Sequence, residues 1–284
     1  MGFTTDDPRF SAKDDPRFRV QDTALGFHSR GAPGWSARRG GGAGVGPPPF
    51  NVSDILGYYD FDQPNLTLTT SQPESWIVDQ SGNERTMRFA NLTGTSVVDG
   101  LHGNAVRNSF ISHVNSFLYP AIGSISWSVS GWYKYVPGST PNGCIFRMSQ
   151  QGNDRILFGF AGSAENPLFR IRTASGAFAN ILENTDCPLD ISPGWHHVLA
   201  GIDKNTWERK IYIDGHLKVS QVRTFLLDTL ESRDTSLGSV GSTRWPGDLD
   251  EICVIDTPPT DEVAAWMYNG GEGRSWPEIV AFAP

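Results

Sequence analysis

The sequence predicts an all-β protein: a two-sheet antiparallel sandwich with one short C-terminal helix and an extended N-terminal arm. Three observations carry this. Glycine and proline are abundant, 31 and 19 of 284 residues, while charged residues are only 19%, a turn-rich and charge-poor balance that suits short strands better than a helical bundle. Between residues 51 and 256 the apolar residues alternate in short runs bounded by turn residues, the pattern of half-buried strands. A helical pattern appears once, near the C-terminus.

The elements follow in order. Residues 1–30 form an arm that states Asp-Asp-Pro-Arg-Phe twice, at 6–10 and 14–18. Proline restricts the residue before it to extended geometry, and one large apolar residue in five builds no core. Residues 31–50, GAPGWSARRGGGAGVGPPPF, are a linker, with a flexible glycine run and a stiff proline triplet. The domain then runs from 51 to 284. In SISWSVSGWYKYV, Trp127, Val129, Gly131 and Tyr133 share one face, and Ser126, Ser128, Ser130, Trp132 and Lys134 the other. ILFGFAG and LFRIRTA are two further strands. WHHVLAGIDKNTWERKIYIDGHLKV is a three-stranded meander, turning first at Asp203–Thr206 and then at Asp214-Gly215, a type I′ hairpin signal. TDEVAAWMYNGG is a helix, with Thr260 as N-cap, Asp261 and Glu262 in its first turn, and Asn269-Gly270 at its end. Val263, Trp266 and Met267 give it a buried face.

Composition excludes several roles. The net charge is −8, of which residues 1–50 contribute +2 and the remainder −10, so the body offers no basic face to nucleic acid. Cys144, Cys187 and Cys253 contain no C-x-x-C pair and are expected to be buried, reduced residues. MGFTTDD has neither a basic nor an apolar signal region, and no apolar run is long enough to span a membrane.

Six segments together resemble the laminin G-like, concanavalin A-like jelly rolls: GYYDFD at 57–62, DQSGN at 79–83, DGLHGNAVRN at 99–108, ISWSVSGWYKY, the Trp-His-His-Val strand with its Tyr-Ile-Asp-Gly hairpin, and GDLDEICVIDTPPTDEVAAWMYNGGEG. The resemblance covers roughly 51–274. It implies two packed sheets of about a dozen strands with the first and last strands adjacent. It also implies that the His196-His197 pair is structural, in accord with adjacent strand residues facing opposite ways. The fold alone does not choose among lectins, adhesion modules, glycosidases and spacers.

No catalysis is expected. The Glu-x-Asp-x-x-Glu string of the laminarinase-type members is absent, and a glycosidase needs two carboxylates across a cleft. Asp60 and Asp62 near the start and Asp248 and Asp250 near the end would meet if the terminal strands are neighbours, and could hold a structural calcium. Alternatively they cap strand ends. Trp207, Trp245 and His216 fall near turns and are the glycan-binding candidates, the tryptophans as stacking platforms; packing over the sandwich ends is the other reading of the tryptophans.

The repeat points to attachment. Phe10 and Phe18 can each fill a pocket while Arg9 and Arg17 pair with acids, and Pro8 and Pro16 hold the segment extended before docking. Two weak contacts then gain through effective concentration. The expectation is a non-enzymatic bacteriophage virion protein, assembled in the host cytoplasm. Its arm would be anchored to capsid or tail proteins, and its body would project toward host-surface glycan as a decoration, fibre or adhesion module. No nucleic acid or membrane partner is expected; a homo-oligomer is compatible. A free lectin-like carbohydrate-binding protein and a glycan-cleaving hydrolase with loop-borne carboxylates are the alternatives.

Overall fold

The computed structural model describes residues 46–63, 66, 76–89, 94–107, 111–113, 126–136, 143–150, 153–160, 167–172, 178–180, 192–222, 234–240, 243–245 and 247–282. The arm with Pro8, Arg9, Phe10, Pro16, Arg17 and Phe18 lies outside the described residues, as does Cys187.

The strands are β1 (Ile55–Tyr59), β2 (Trp76–Ile77), β3 (Met87–Phe89), β4 (Ser96–Asp99), β5 (Asn104–Arg107) and β6 (Ile111–His113). They continue with β7 (Trp127–Tyr135), β8 (Gly143–Gln150), β9 (Asn153–Phe160), β10 (Pro167–Arg172), β11 (Phe178–Asn180) and β12 (His196–Asp203). The last are β13 (Glu208–Ile213), β14 (His216–Val222), β15 (Asp234–Leu237), β16 (Ser239–Val240), β17 (Thr243–Arg244) and β18 (Gly247–Ile255). One sheet has the order β14-β13-β12-β7-β18-β5-β4, with β1 also on β18; the other runs β11-β10-β9-β8-β15-β6-β3-β2. Neighbouring strands are antiparallel throughout the described residues. The all-β sandwich is the observed architecture.

The predicted alternation in the central strand decides where the core sits. Trp127, Val129 and Tyr133 join Val198, Ala200, Ile202, Ile211, Phe89, Phe146 and Leu237 between the sheets. The other face of the first sheet is covered too. Tyr58, Leu199, Tyr212, Cys253 and Ile255 pack under helix α1 (Asp261–Tyr268) and helix α2 (Trp276–Val280) through Val263, Trp266, Met267 and Ile279. Cys144 and Cys253 are buried and outside any disulfide, as their sequence context suggests.

Helix α1 is capped as the sequence predicts: Thr260 accepts from the Val263 N–H, and Asn269 ends the helix in the left-handed region. The Asp214-Gly215 turn has φ of 51° and 75°, the two positive values a type I′ hairpin needs. Helix α2 is an element beyond the single helix expected. Its signal is nonetheless present, since Ser275 and Glu278 form a capping box around Trp276-Pro277. The last residues of the 31–50 segment pack on the domain. The Gly46 carbonyl accepts from Trp266 Nε1 at 3.1 Å, and Phe50 meets the Trp266 ring edge-on with centroids 5.5 Å apart. Arg274 lies over the same ring, 4.2 Å from its centroid. Residues 46–50 therefore belong to the packed body. Among the described residues no helix is long and apolar enough to cross a membrane.

Candidate functional site

Strand β18 is the element around which the candidate acids gather. Its edge is shared by two strands: β1 pairs with Ile252–Ile255 and β5 with Asp248–Leu249. The gap between them holds an irregularity at Asp250–Cys253, where Glu251 adopts a positive φ of 50°. Neither flanking strand can supply ladder partners at this junction, so backbone N–H groups there need other acceptors. Carboxylates provide them. Asp250 Oδ2 accepts from Leu101 N at 2.8 Å and His102 N at 3.3 Å, and Oδ1 from Glu251 N at 2.9 Å. Asp62 Oδ1 accepts from Asn104 N at 2.6 Å, and Asp60 Oδ1 from Asp62 N at 3.2 Å. The loop before β5 approaches so closely that a Cβ at Gly100 would lie 2.5 Å from Asp250 Oδ2. Gly103, at a φ of +59°, faces Asp62 in the same way.

The sequence pairs Asp60 with Asp62 and Asp248 with Asp250 as one set of four. The structure brings three of them together and removes the fourth. Asp248 forms a bidentate pair with Arg107, at 2.6 and 3.0 Å, so both its oxygens are committed. In its place stands Glu251, whose one signal in the sequence is the doublet with Asp250. Calcium needs six or more converging oxygens. Here the Asp62 and Asp250 oxygens face backbone donors, and among the described residues no three His, Cys, Asp or Glu side chains are arranged to hold a metal ion. The residues do not fit the expected cation. Their chemistry is that of strand-end caps.

Burial sets their charge. Asp60 and Asp62 are pushed above the usual carboxylate range by desolvation. Burial also raises Asp250 and Glu251 strongly, and the Asp250 charge adds to the rise at Glu251. Asp250 receives three N–H groups, which favour its ionised form. Among the described residues Glu251 has only the Tyr58 hydroxyl, so Glu251 is the member that keeps its proton. A neutral Glu251 can donate to Tyr58, leaving that hydroxyl to donate to the Arg274 carbonyl at 3.0 Å.

The sign of the pH effect follows. Glu251 holds a proton in the folded state that the unfolded chain releases above a pKa of about 4.3. Its stability contribution is thus full below that value and is lost as pH rises through the raised folded value. His197 works in the opposite sense: burial pushes it down to about 3, so stability falls as pH drops below about 6.5. Thermal midpoints of wild type and Glu251→Gln, compared from pH 5 to 8, isolate the first effect. The variant is expected to gain on wild type by several degrees toward pH 8; parallel curves would refute the protonated assignment.

The three glycan candidates do not converge. Trp245 is fully buried and meets Tyr133 edge-on with centroids 5.6 Å apart, so it is a core residue and not an exposed stacking platform. The loop-like sequence around it hid this, because β16 and β17 fold it inward. Trp207 occupies the turn between β12 and β13, at a φ of 61°, partly buried against the inter-sheet core. His216 is exposed at the other end of β13, roughly 20 Å away at 3.3–3.4 Å per residue. One sugar ring cannot touch both.

Residues 112–265 match the family model described as the concanavalin A-like lectin/glucanases superfamily, in its laminin G form. That is more than half of the chain. The chain belongs to the concanavalin A-like lectin/glucanase superfamily. Among solved structures, this concanavalin A-like chain resembles domain 4 of AbnA, a GH43 extracellular arabinanase from Geobacillus stearothermophilus, in complex with arabinotriose. The identity is 18% and the TM-score 0.55, over 78% of this chain and 98% of that one. It also resembles the binding domain of Paraclostridial Mosquitocidal Protein 1, at 15% identity and TM-score 0.55, over 78% of this chain and 53% of that one. The botulinum neurotoxin serotype D binding domain is similar at 15% identity and TM-score 0.57, over 78% and 52%. At these identities the likeness is one of fold, and the chain spans about half the length of the toxin binding domains. Comparison with curated proteins gives no match.

Proposed function

We propose that this chain is a binding module in which the jelly roll recognises a glycan or glycan-bearing receptor and residues 1–45 attach it to a bacteriophage particle. The attachment half rests on the repeated Asp-Asp-Pro-Arg-Phe ahead of a body that completes its own core. A five-residue motif that cannot bury itself, stated twice, suits two equivalent pockets on a symmetric assembly. The recognition half is supported by the fold it shares with an arabinotriose-bound domain and with toxin binding domains. Binding is proposed as non-enzymatic toward glycosidic bonds, because Asp60, Asp62 and Asp250 serve as backbone acceptors and Glu251 is buried against the Tyr58 hydroxyl, so that these acids do not stand as a pair across a cleft. Trp207 and His216 belong to separate surfaces, and Trp207 is the proposed stacking residue.

The test is a deletion of residues 2–45, which spares the Gly46–Phe50 contacts with Trp266. The shortened chain is expected to stay folded, retain glycan on an array, and no longer co-sediment with particles. Continued co-sedimentation would overturn the anchor. Binding that is absent from both full and shortened chains would overturn glycan recognition.

A further inference from the structure

One hydrogen-bonded relay is left unused by these roles. His196 opens β12, and Asp214 begins the turn from β13 to β14. His196 Nδ1 lies 2.9 Å from Asp214 Oδ2, and its Nε2 lies 3.1 Å from Ser192 Oγ. Asp214 is itself fixed by the strand: Oδ1 accepts from His197 N at 2.8 Å, and its own N–H donates to the His197 carbonyl at 2.9 Å. With Nδ1–H donating to the Asp214 carboxylate, Nε2 faces Ser192, and when it carries no hydrogen it accepts from the hydroxyl. The Tyr133 ring, 5.6 Å away, lies beside the imidazole.

The surroundings differ along this line. His196 is buried, whereas Ser192 is exposed. A base shielded from water beside an accessible hydroxyl is the arrangement that activates serine. Two residues on, Gly194 has a φ of +134°, and a side chain there would meet nothing within 4 Å. The turn that follows the serine is therefore open to solvent at Gly194. Pro193 has no N–H, so Gly194 and Trp195 offer the first backbone donors after the serine.

We infer that Ser192 is a nucleophile, with His196 as its general base and Asp214 as the positioning residue for that base, acting on carboxylic esters of small acyl groups. Ser192 Oγ attacks the ester carbonyl, forming the O–C bond while its proton passes to His196 Nε2. The tetrahedral intermediate collapses by expelling the alkoxide, which takes that proton and leaves as the alcohol. Water then attacks the acyl-serine by the same route, releasing the carboxylic acid and restoring the hydroxyl. While protonated, Nε2–H also faces the Ser192 carbonyl at 3.2 Å, an acceptor for the transient imidazolium.

Full-length wild type and Ser192→Ala are treated with a fluorophosphonate probe and with p-nitrophenyl acetate. Wild type is expected to be labelled at Ser192, with label and acetate release at least tenfold above Ser192→Ala. Equal labelling of the two proteins overturns the inference. Because His196 variants can fail to fold, the base is tested in Ser192→Cys through the pH profile of alkylation by iodoacetamide. Coupling to His196 lowers the midpoint by at least one unit from the ordinary thiol value of about 8.5; an ordinary profile removes His196 from the role. A null result leaves the binding reading standing, since that is measured by glycan retention and particle attachment.

Discussion

Asp250→Ala is expected to destabilise the domain by about 3–5 kcal/mol, the cost of deleting one member of a buried charged hydrogen-bond set. Asp250 is fully buried and accepts three backbone N–H groups, from Leu101, His102 and Glu251. Alanine leaves those donors without acceptors, and each orphaned buried donor costs about 1–3 kcal/mol. Gly100 and Gly103 let the backbone of loop 100–103 approach the acids, so these hydrogen bonds fix where the loop lies. Asp250→Asn keeps one oxygen and the shape, and should lose about half as much. Urea denaturation reads the effect as a lower midpoint at an unchanged slope. A loss below 1 kcal/mol for the alanine variant would show that the junction is not held by this carboxylate.

The same junction shows what the sequence revealed and what it hid. Alternation placed the central strand correctly on both faces because period-two burial is a local property: Trp127 and Tyr133 fell inward, and Ser130 outward toward His197. Turn chemistry located Asp214-Gly215 and the caps of the first helix for the same reason. The acids were legible only as a group near adjacent termini. Which of them faces the junction depends on the irregularity in β18, and a bulge reverses the direction of every side chain after it. Asp248 lies before the irregularity, directly opposite Arg107 on β5, and goes to it, while Glu251, inside the irregularity, joins the cluster. The Ser192 relay was equally hidden. Its members are separated by four and eighteen residues, and only the pairing of β12 with β13 brings Asp214 back to His196.

Trp245→Ala separates core from recognition. Truncating a fully buried tryptophan is expected to cost about 3–5 kcal/mol, and Trp245 is such a residue: it has no exposed surface, and it joins the cluster containing Tyr133 and Leu249. Its loss opens a void between the sheets beside Gly247, whose Cβ position lies 2.9 Å from Trp245 Nε1, so little space exists for the surroundings to relax into. The glycan reading tested on this residue would mislead, because weaker binding would follow from unfolding alone. Trp207→Ala supplies the contrast. Trp207 is partly exposed at a turn whose backbone is held by Asp203, through Asn205 N at 2.8 Å and Thr206 Oγ1 at 2.9 Å. Removing its ring should cost about 1–2 kcal/mol of stability, the worth of the indole's partial contact with the core. If Trp207 stacks on sugar, its alanine variant loses glycan retention at least tenfold while remaining folded at the assay temperature. Retention that survives in Trp207→Ala moves recognition to another surface of the sandwich. A Trp245→Ala protein as stable as wild type would show that the core is not closed by this side chain.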